Sequence, residues 1–268
     1  MRFVKGHGTE NDFVILPDPD AALDLTPELV AAICDRRAGI GADGVLRVVR
    51  SKALGRDGDP EWFMDYRNAD GSIAEMCGNG VRVFARYLVE AGLAAPGDLR
   101  IATRGGVRGA RLGATGDVTV DMGTPRILGP SRATVSGRMY EGLGVSMGNP
   151  HLACAITEPV AGLDLTRAPE VDADFFPEGV NVELFRPAGR GRVEMRVHER
   201  GAGETRSCGT GAVATAVAAA HAEGRTEGTW EVAVLGGAVT VTLDGETSFL
   251  SGPAVLVAEG ELRLSARP

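Results

Sequence analysis

Two tetrapeptides, Cys77-Gly78-Asn79-Gly80 and Cys208-Gly209-Thr210-Gly211, stand 131 residues apart, and each is followed by a run with helical periodicity. A chain that places this element twice is constrained to two similar halves, each carrying one thiol-headed helix. After Cys77 the run GNGVRVFARYLVEAG has charges only at Arg82, Arg86 and Glu90, which form one narrow stripe, and Gly92 stands where a helix ends. After Cys208 the run GTGAVATAVAAAHAEG carries no acid or base other than His221 until Glu223 and is mostly Ala and Val, so this helix is expected to be buried nearly all round. Glycine costs roughly 1 kcal/mol against alanine inside a helix, so two glycines in each first turn need a reason. Close approach of the backbone to a ligand supplies one.

The first-turn N–H groups of a helix have no intrahelical partner and carry the positive end of its dipole. They can hold a carboxylate, and they favour thiolate over thiol, drawing a cysteine from its ordinary value of about 8.5 toward neutrality. A thiol so placed can take or give a proton.

The repetition extends beyond the cysteines. At the same offset Asn68 falls on Glu199 and Gly105-Gly106 on Gly236-Gly237, while at an offset of 138 Asn11 falls on Asn149, Gly41 on Gly179 and Asp43 on Asn181. The common order gives halves of roughly 1–120 and 140–255. Strand-like runs flank the helices: RFVKG, DFVILP, GVLRVV, EWFMDYR, LRIATR, VRGARLG and VTVDM in the first half, and LACAIT, VNVELFR, RVEMRVHER, WEVAVLG, AVTVTL and PAVLVAE in the second. A further helix is expected at about 27–37. Gly-Asp, Asp-Gly and Gly-Gly pairs between runs mark hairpins, so the sheets are expected to be largely antiparallel and the class α+β with pseudo-twofold symmetry.

Composition excludes several functions. A formal charge of −8 and a pI near 5.1 argue against a nucleic-acid partner, which needs clustered Lys and Arg. No uncharged apolar run approaches the ~20 residues of a membrane span, and the opening MRFVKGHGTEND does not read as a secretion signal, so a soluble cytoplasmic protein is expected. The four cysteines, Cys34, Cys77, Cys154 and Cys208, have neither disulfide-framework nor zinc spacing, so no metal is expected. Cys34, in a helical run, and Cys154, in a strand-like run, read as small core residues. GIGADG at 39–44 fits a dinucleotide-binding glycine pattern but follows a helical run, not the strand such a site requires.

One thiol per half has a chemical meaning. Inverting a stereocentre beside a carboxylate requires a base that removes the proton from one face and an acid that supplies one to the other, and a thiolate–thiol pair does both, exchanging roles in the reverse direction. The only lysines, Lys5 and Lys52, stand in no convincing Schiff-base setting, which favours a route without a cofactor.

The segments GHGTENDFVI, YRNADGSIAEMCGNGVR, GNPH, GVNVE and HERGAGETRSCGTGA, in this order over residues 3–255, closely resemble the diaminopimelate epimerase family. The resemblance implies interconversion of LL- and meso-2,6-diaminoheptanedioate, a step toward lysine and peptidoglycan, by two cysteines without pyridoxal phosphate or metal, in a homodimer. It implies two pseudo-symmetric domains, each a mostly antiparallel β-barrel-like sheet around a central helix: residues 1–118 joined by the returning segment 258–268, and residues 119–257. Carried over by position, Cys77 and Cys208 are the catalytic pair, and Gly78, Asn79, Gly209 and Thr210 cradle the reacting carboxylate. Asn11, Asn68, Asn149, Asn181, Glu199 and Arg200 hold the non-reacting end, and His151 and Glu199 are expected to tune the thiols. Two positions depart from the common family pattern: Gly44 replaces a frequent glutamine and Glu10 a usual glycine. Rival readings are a proline or hydroxyproline racemase on the same scaffold, against which the polar residues for a second amino-acid end argue, and a redox sensor in which Cys77 and Cys208 form a reversible disulfide.

Overall fold

The computed structural model describes residues 1–113 and 116–263. The chain divides into two compact units, Met1–Val120 together with the segment from Pro253 on, and Asp121–Gly252. Residues 264–268 of the expected returning segment lie outside the described residues.

In the first unit β1 (Arg2–Gly8) and β2 (Asn11–Pro17) form an antiparallel hairpin. Its two turn residues, Thr9 and Glu10, have φ of 51° and 61°, the left-handed pair that matches strand twist and that glycine adopts without strain, so the usual glycine at position 10 has a conformational cause. Helix α1 (Pro27–Cys34) starts on the Thr26 hydroxyl, which accepts from the Leu29 N–H at 3.2 Å, a cap worth about 1 kcal/mol. It ends before residue 37 because the backbone turns back across it, the N–H groups of Ile40 and Ala42 donating to the carbonyls of Ile33 and Cys34. Its buried Val30 and Ile33 pack with Val14, Leu16 and Val45. Strand β3 (Gly44–Arg50) runs parallel to β2, and β4 (Trp62–Asn68) antiparallel to β3. Helix α2 (Gly78–Glu90) then carries the chain to β5 (Asp98–Thr103), which joins β4 in parallel at Phe63 and Ala102, and β6 (Gly106–Leu112) and β7 (Val118–Gly123) follow antiparallel.

The second unit repeats this grammar. Strands β8 (Arg126–Val135) and β9 (Arg138–Ser146) form a hairpin, and β10 (Pro150–Ala155) pairs antiparallel with β9. The two-residue β11 (Glu170–Val171) edges β8, while β12 (Asn181–Pro187) runs parallel to β10. Strand β13 (Arg192–Glu199) is antiparallel to β12, and β14 (Gly203–Thr205) folds back on its end. Helix α3 (Gly209–Ala222) leads to β15 (Glu227–Val234), parallel to β13, followed by antiparallel β16 (Gly237–Asp244) and β17 (Ser248–Gly252). In both units the pairings therefore run antiparallel, parallel, antiparallel, helix, parallel, antiparallel, antiparallel. The class is α+β, with three α-helices among the described residues, and the mostly antiparallel sheets each include two parallel joints. The thiol-headed helix makes the second of those joints.

Strand β18 (Val255–Glu261) corrects one assignment. PAVLVAE was read with the second half, but β18 pairs antiparallel with β1 in the first unit. In the second unit the corresponding place beside β9 is filled by β8. Each central helix touches strands along nearly the whole order of its own sheet, α2 from β18 and β1 through β6 and α3 from β9 through β17. Residues 211–220 of α3 are all buried, and their small side chains let the surrounding strands approach closely. In α2 the charged stripe is not a uniform solvent face: Arg82 is fully buried and Arg86 half-buried, and only Glu90 is exposed.

Candidate functional site

Cys77 and Cys208 occupy the same structural position in their units. Each is the N-cap of its helix in extended conformation, with φ, ψ of −141°, 119° and −119°, 115°, and each sulfur accepts from the N–H three residues on, Gly80 and Gly211, at 3.4 Å. Sulfur thus takes the place that a Ser or Asp oxygen fills in an ordinary cap.

Around Cys77 the first unit assembles a polar cluster from separate strands. Asn11 Oδ1 accepts from Asn79 Nδ2 at 3.2 Å and lies 3.6 Å from Cys77 Sγ. Asn11 in turn donates to Asp43 at 2.8 Å, and Asp43 accepts from Arg36 at 2.8 Å. Asp12 accepts from Arg36 and Lys5; burial would raise its carboxyl, but those two cations prevail and hold it at about 2. Arg82 donates to Asn79 Oδ1 at 2.6 Å, to Thr9 Oγ1 at 3.2 Å and to the Pro253 carbonyl at 2.6 Å. One buried guanidinium therefore fixes the asparagine of the helix head and ties it to the returning segment. Burial lowers Arg82 to about 10, with Cys77 and Asp117 opposing the shift. Asn68 donates to Ser72 Oγ at 2.9 Å within its own turn. At Gly44 a Cβ would meet the Arg67 carbonyl at 2.4 Å and the Tyr66 ring at 2.7 Å. This backbone therefore has no room for the glutamine common in the family.

Around Cys208 the second unit builds a different environment. Thr210 Oγ1 lies 3.5 Å from the sulfur. His151 Nδ1 and Glu183 Oε1 are 2.7 Å apart, both side chains wholly buried, and His151 Nε2 lies 3.2 Å from Asn149 Oδ1. Asn181 donates to the Pro150 carbonyl at 3.2 Å and accepts the Arg200 backbone N–H at 2.9 Å. Glu199 accepts from the Thr205 hydroxyl. The Arg200 guanidinium is exposed and donates to the Glu178 carbonyl at 2.8 Å.

Two expectations change here. A helix N-terminus was expected to draw Cys208 toward neutrality; instead burial, followed by the carboxyls of Glu199 and Glu183, pushes this thiol well up, against the smaller opposing pull of Thr210 and the Gly211 N–H. Desolvation of the charged form outweighs the cap. The glycine in the first turn of α3 also has a protein cause: a Cβ on Gly211 would lie 2.6 Å from Glu183 Oε1. At its counterpart Gly80 the nearest atoms to an added Cβ are those of Leu46 and Cys77, at 3.3 Å and more. Glu183 was absent from the sequence-derived site, although it sits in the GVNVE segment. Cys34 and Cys154 are buried, and burial pushes them to about 11 and about 12, as suits small core residues.

The family model described as diaminopimelate epimerase matches residues 3–128 and 143–257. The chain belongs to the diaminopimelate epimerase family. Among relatives bearing that name, one from Thermobifida fusca is 60% identical over 99% of both chains, and one from Rhodococcus opacus is 53% identical over 98% of this chain and 97% of its own. Among solved structures, a Bacillus anthracis phenazine biosynthesis protein of the PhzF family covers 98% of this chain and 99% of its own, with a TM-score of 0.71 at 16% identity. That likeness concerns the fold alone. The family's match in both units includes both cysteine-capped helices.

Proposed function

We propose that this chain is an isomerase that interconverts LL- and meso-2,6-diaminoheptanedioate, using Cys77 and Cys208 as the proton-transferring pair. The observation that supports it most is the duplicated cysteine N-cap within a chain that belongs to this family over nearly its full length. A thiolate removes the α-proton and becomes a thiol. The electron pair left on carbon delocalises into the adjacent carboxylate, and the other thiol delivers its proton to the opposite face and becomes a thiolate. Atoms and charge balance with no external oxidant or reductant. Burial raises the Cys208 thiol, which suits it to the acid's role, and in the reverse direction the two thiols exchange roles.

In this reading the helix-head groups of Gly78, Asn79, Gly209 and Thr210 hold the reacting carboxylate, where negative charge grows as the proton leaves. Asn11, Asn68, Asn149, Asn181, Glu199 and Arg200 select the distant amino-acid end: carboxylate and amide oxygens suit its ammonium, and guanidinium and amide N–H groups its carboxylate. The enzyme serves lysine and cell-wall precursor synthesis, in the cytoplasm and as a homodimer, the latter measurable by sedimentation velocity. No described helix is long and apolar enough to cross a membrane.

Proton NMR of the LL substrate in D₂O with reduced protein tests the reading. Loss of the α-proton signal with appearance of the meso isomer, abolished in Cys77→Ala and in Cys208→Ala, is expected. An intact signal with folded, reduced protein refutes the substrate, and the same assay with proline or hydroxyproline identifies a racemase instead.

A further inference from the structure

The second unit holds a buried titratable pair that the proton transfer itself does not use. Glu183 lies on β12 and His151 on the parallel neighbour β10, where Glu183 is in register with Ala153 and His151 with Asn181. Both side chains are completely buried and joined at 2.7 Å through Oε1 and Nδ1. The other carboxyl oxygen, Oε2, has no hydrogen-bond partner among the described residues. The other ring nitrogen, Nε2, lies 3.2 Å from Asn149 Oδ1, while no described residue accepts from the Asn149 amide nitrogen.

These contacts determine where the protons go. An amide oxygen accepts only, so Nε2 must carry a hydrogen. In a neutral imidazole that leaves Nδ1 as an acceptor, and the proton between Nδ1 and Oε1 must then come from the carboxyl group. An ionised carboxylate with one oxygen buried and unpartnered would carry a heavy desolvation cost, whereas the carbonyl oxygen of a neutral acid carries far less. The surroundings agree. Burial raises Glu183, and of the titratable groups around it Glu199 on β13 adds to that rise while His151 on β10 opposes it. Cys208 at the head of α3 and Cys154 on β10 are thiols raised chiefly by burial, and neither offers Glu183 a compensating positive charge.

We propose that Glu183 is a positioning residue: its carboxyl hydroxyl donates to His151 Nδ1, fixing the ring proton on Nε2, which anchors Asn149 Oδ1 and turns the Asn149 NH₂ outward as a donor for a carboxylate. The relay runs Glu183 to His151 to Asn149, one donor and one acceptor at each joint. If the imidazole took the other tautomer, Nε2 would become an acceptor. The amide would then flip to donate to it, presenting its oxygen to the incoming carboxylate and replacing attraction with repulsion. The proposal rests on the epimerase reading only for the identity of that carboxylate.

The pair of variants Glu183→Gln and Glu183→Met separates this role from packing. Glutamine has a donor where the proposal places the carboxyl hydroxyl, and methionine fills similar volume with none. The first readout is ¹⁵N NMR of ring-labelled, substrate-free protein, with the His151 signals assigned by their loss in His151→Gln. The native protein and Glu183→Gln are expected to show one protonated nitrogen, Nε2, and one bare nitrogen, Nδ1; Glu183→Met is expected to lose that single-tautomer pattern. The second readout is KM, expected to rise on the order of tenfold in Glu183→Met, as for one lost hydrogen bond to a charged group, and to stay within about threefold in Glu183→Gln. A native imidazolium, a native Nδ1–H tautomer, or a Glu183→Gln protein that behaves like Glu183→Met overturns the proposal. Failure of the epimerase reading leaves the NMR pattern unaffected and removes only the KM effect.

Discussion

Gly211→Ala probes the most constrained contact in the second unit. In an open first turn the change would add up to about 1 kcal/mol of helix propensity. Here the new Cβ would lie 2.6 Å from Glu183 Oε1 and 3.3 Å from Cys208 Sγ. The carboxyl group cannot move freely, because it is wholly buried and bonded to His151. Displacing it unpairs two buried polar groups at about 1–3 kcal/mol each. Against the propensity gain, the net is a destabilisation of about 1–5 kcal/mol, or a Tm lower by about 2–4 °C for each kcal/mol in a chain of this size. Gly80→Ala is the control: its Cβ would meet Leu46 at 3.3 Å and Cys77 at 3.4 Å, contacts that relax by tenths of an ångström, so Tm should change by no more than about 2 °C. Thermal unfolding followed by circular dichroism, in native and Glu183→Ala backgrounds, completes the test. With the carboxyl gone, Gly211→Ala should be neutral or stabilising. Equal destabilisation in both backgrounds would refute the assignment of Gly211 to the Glu183 contact.

Three other outcomes follow from the same geometry. Asp12 is held at about 2 against an ordinary 3.8, so it contributes about 2 kcal/mol that is present above pH 4 and lost as pH falls toward 2; acid unfolding of Asp12→Asn should show a flatter slope in that window. With thiols at about 11 and 12, Cys34 and Cys154 are thiolate to only about 0.1% and 0.01% at pH 8, so mass spectrometry after brief native alkylation should find them unmodified. Arg82→Met leaves Asn79, Thr9 and the Pro253 carbonyl without their shared donor and should cost about 3 kcal/mol or more, with loss of activity at residual folded protein; an unchanged Tm would contradict the bracing role of Arg82.

The strands of the first unit were legible because VTVDM alternates between apolar and polar residues and DFVILP is a short apolar run bounded by turns. The hairpin of β8 and β9 was not, because Gly129-Pro130 and Gly142 interrupt its pattern and many of its residues are exposed. Sequence position misled at β18, whose partner β1 lies at the opposite end of the chain. Both thiols were legible from their repeated helix heads, whereas their differing surroundings were not. Glu183 escaped notice because an acidic residue in a strand reads as solvent-facing, yet residues 181–185 are buried throughout. One signal was available: the glycine at 211, within an alanine-rich helix, marks a group pressed against the backbone. Arg82 escaped for the same reason, since its stripe with Arg86 and Glu90 suits a wet face and only the packing of α2 against β1 and β18 closes it off.

The central claim is that two thiols exchange protons with one stereocentre. Single-turnover incubation of LL-2,6-diaminoheptanedioate in D₂O, with the reduced native protein and with Cys77→Ala and Cys208→Ala, tests it by following the α-proton and the configuration together. The native protein should give meso product deuterated at the inverted carbon, and neither variant should invert. Inversion that persists with either cysteine removed would contradict the account.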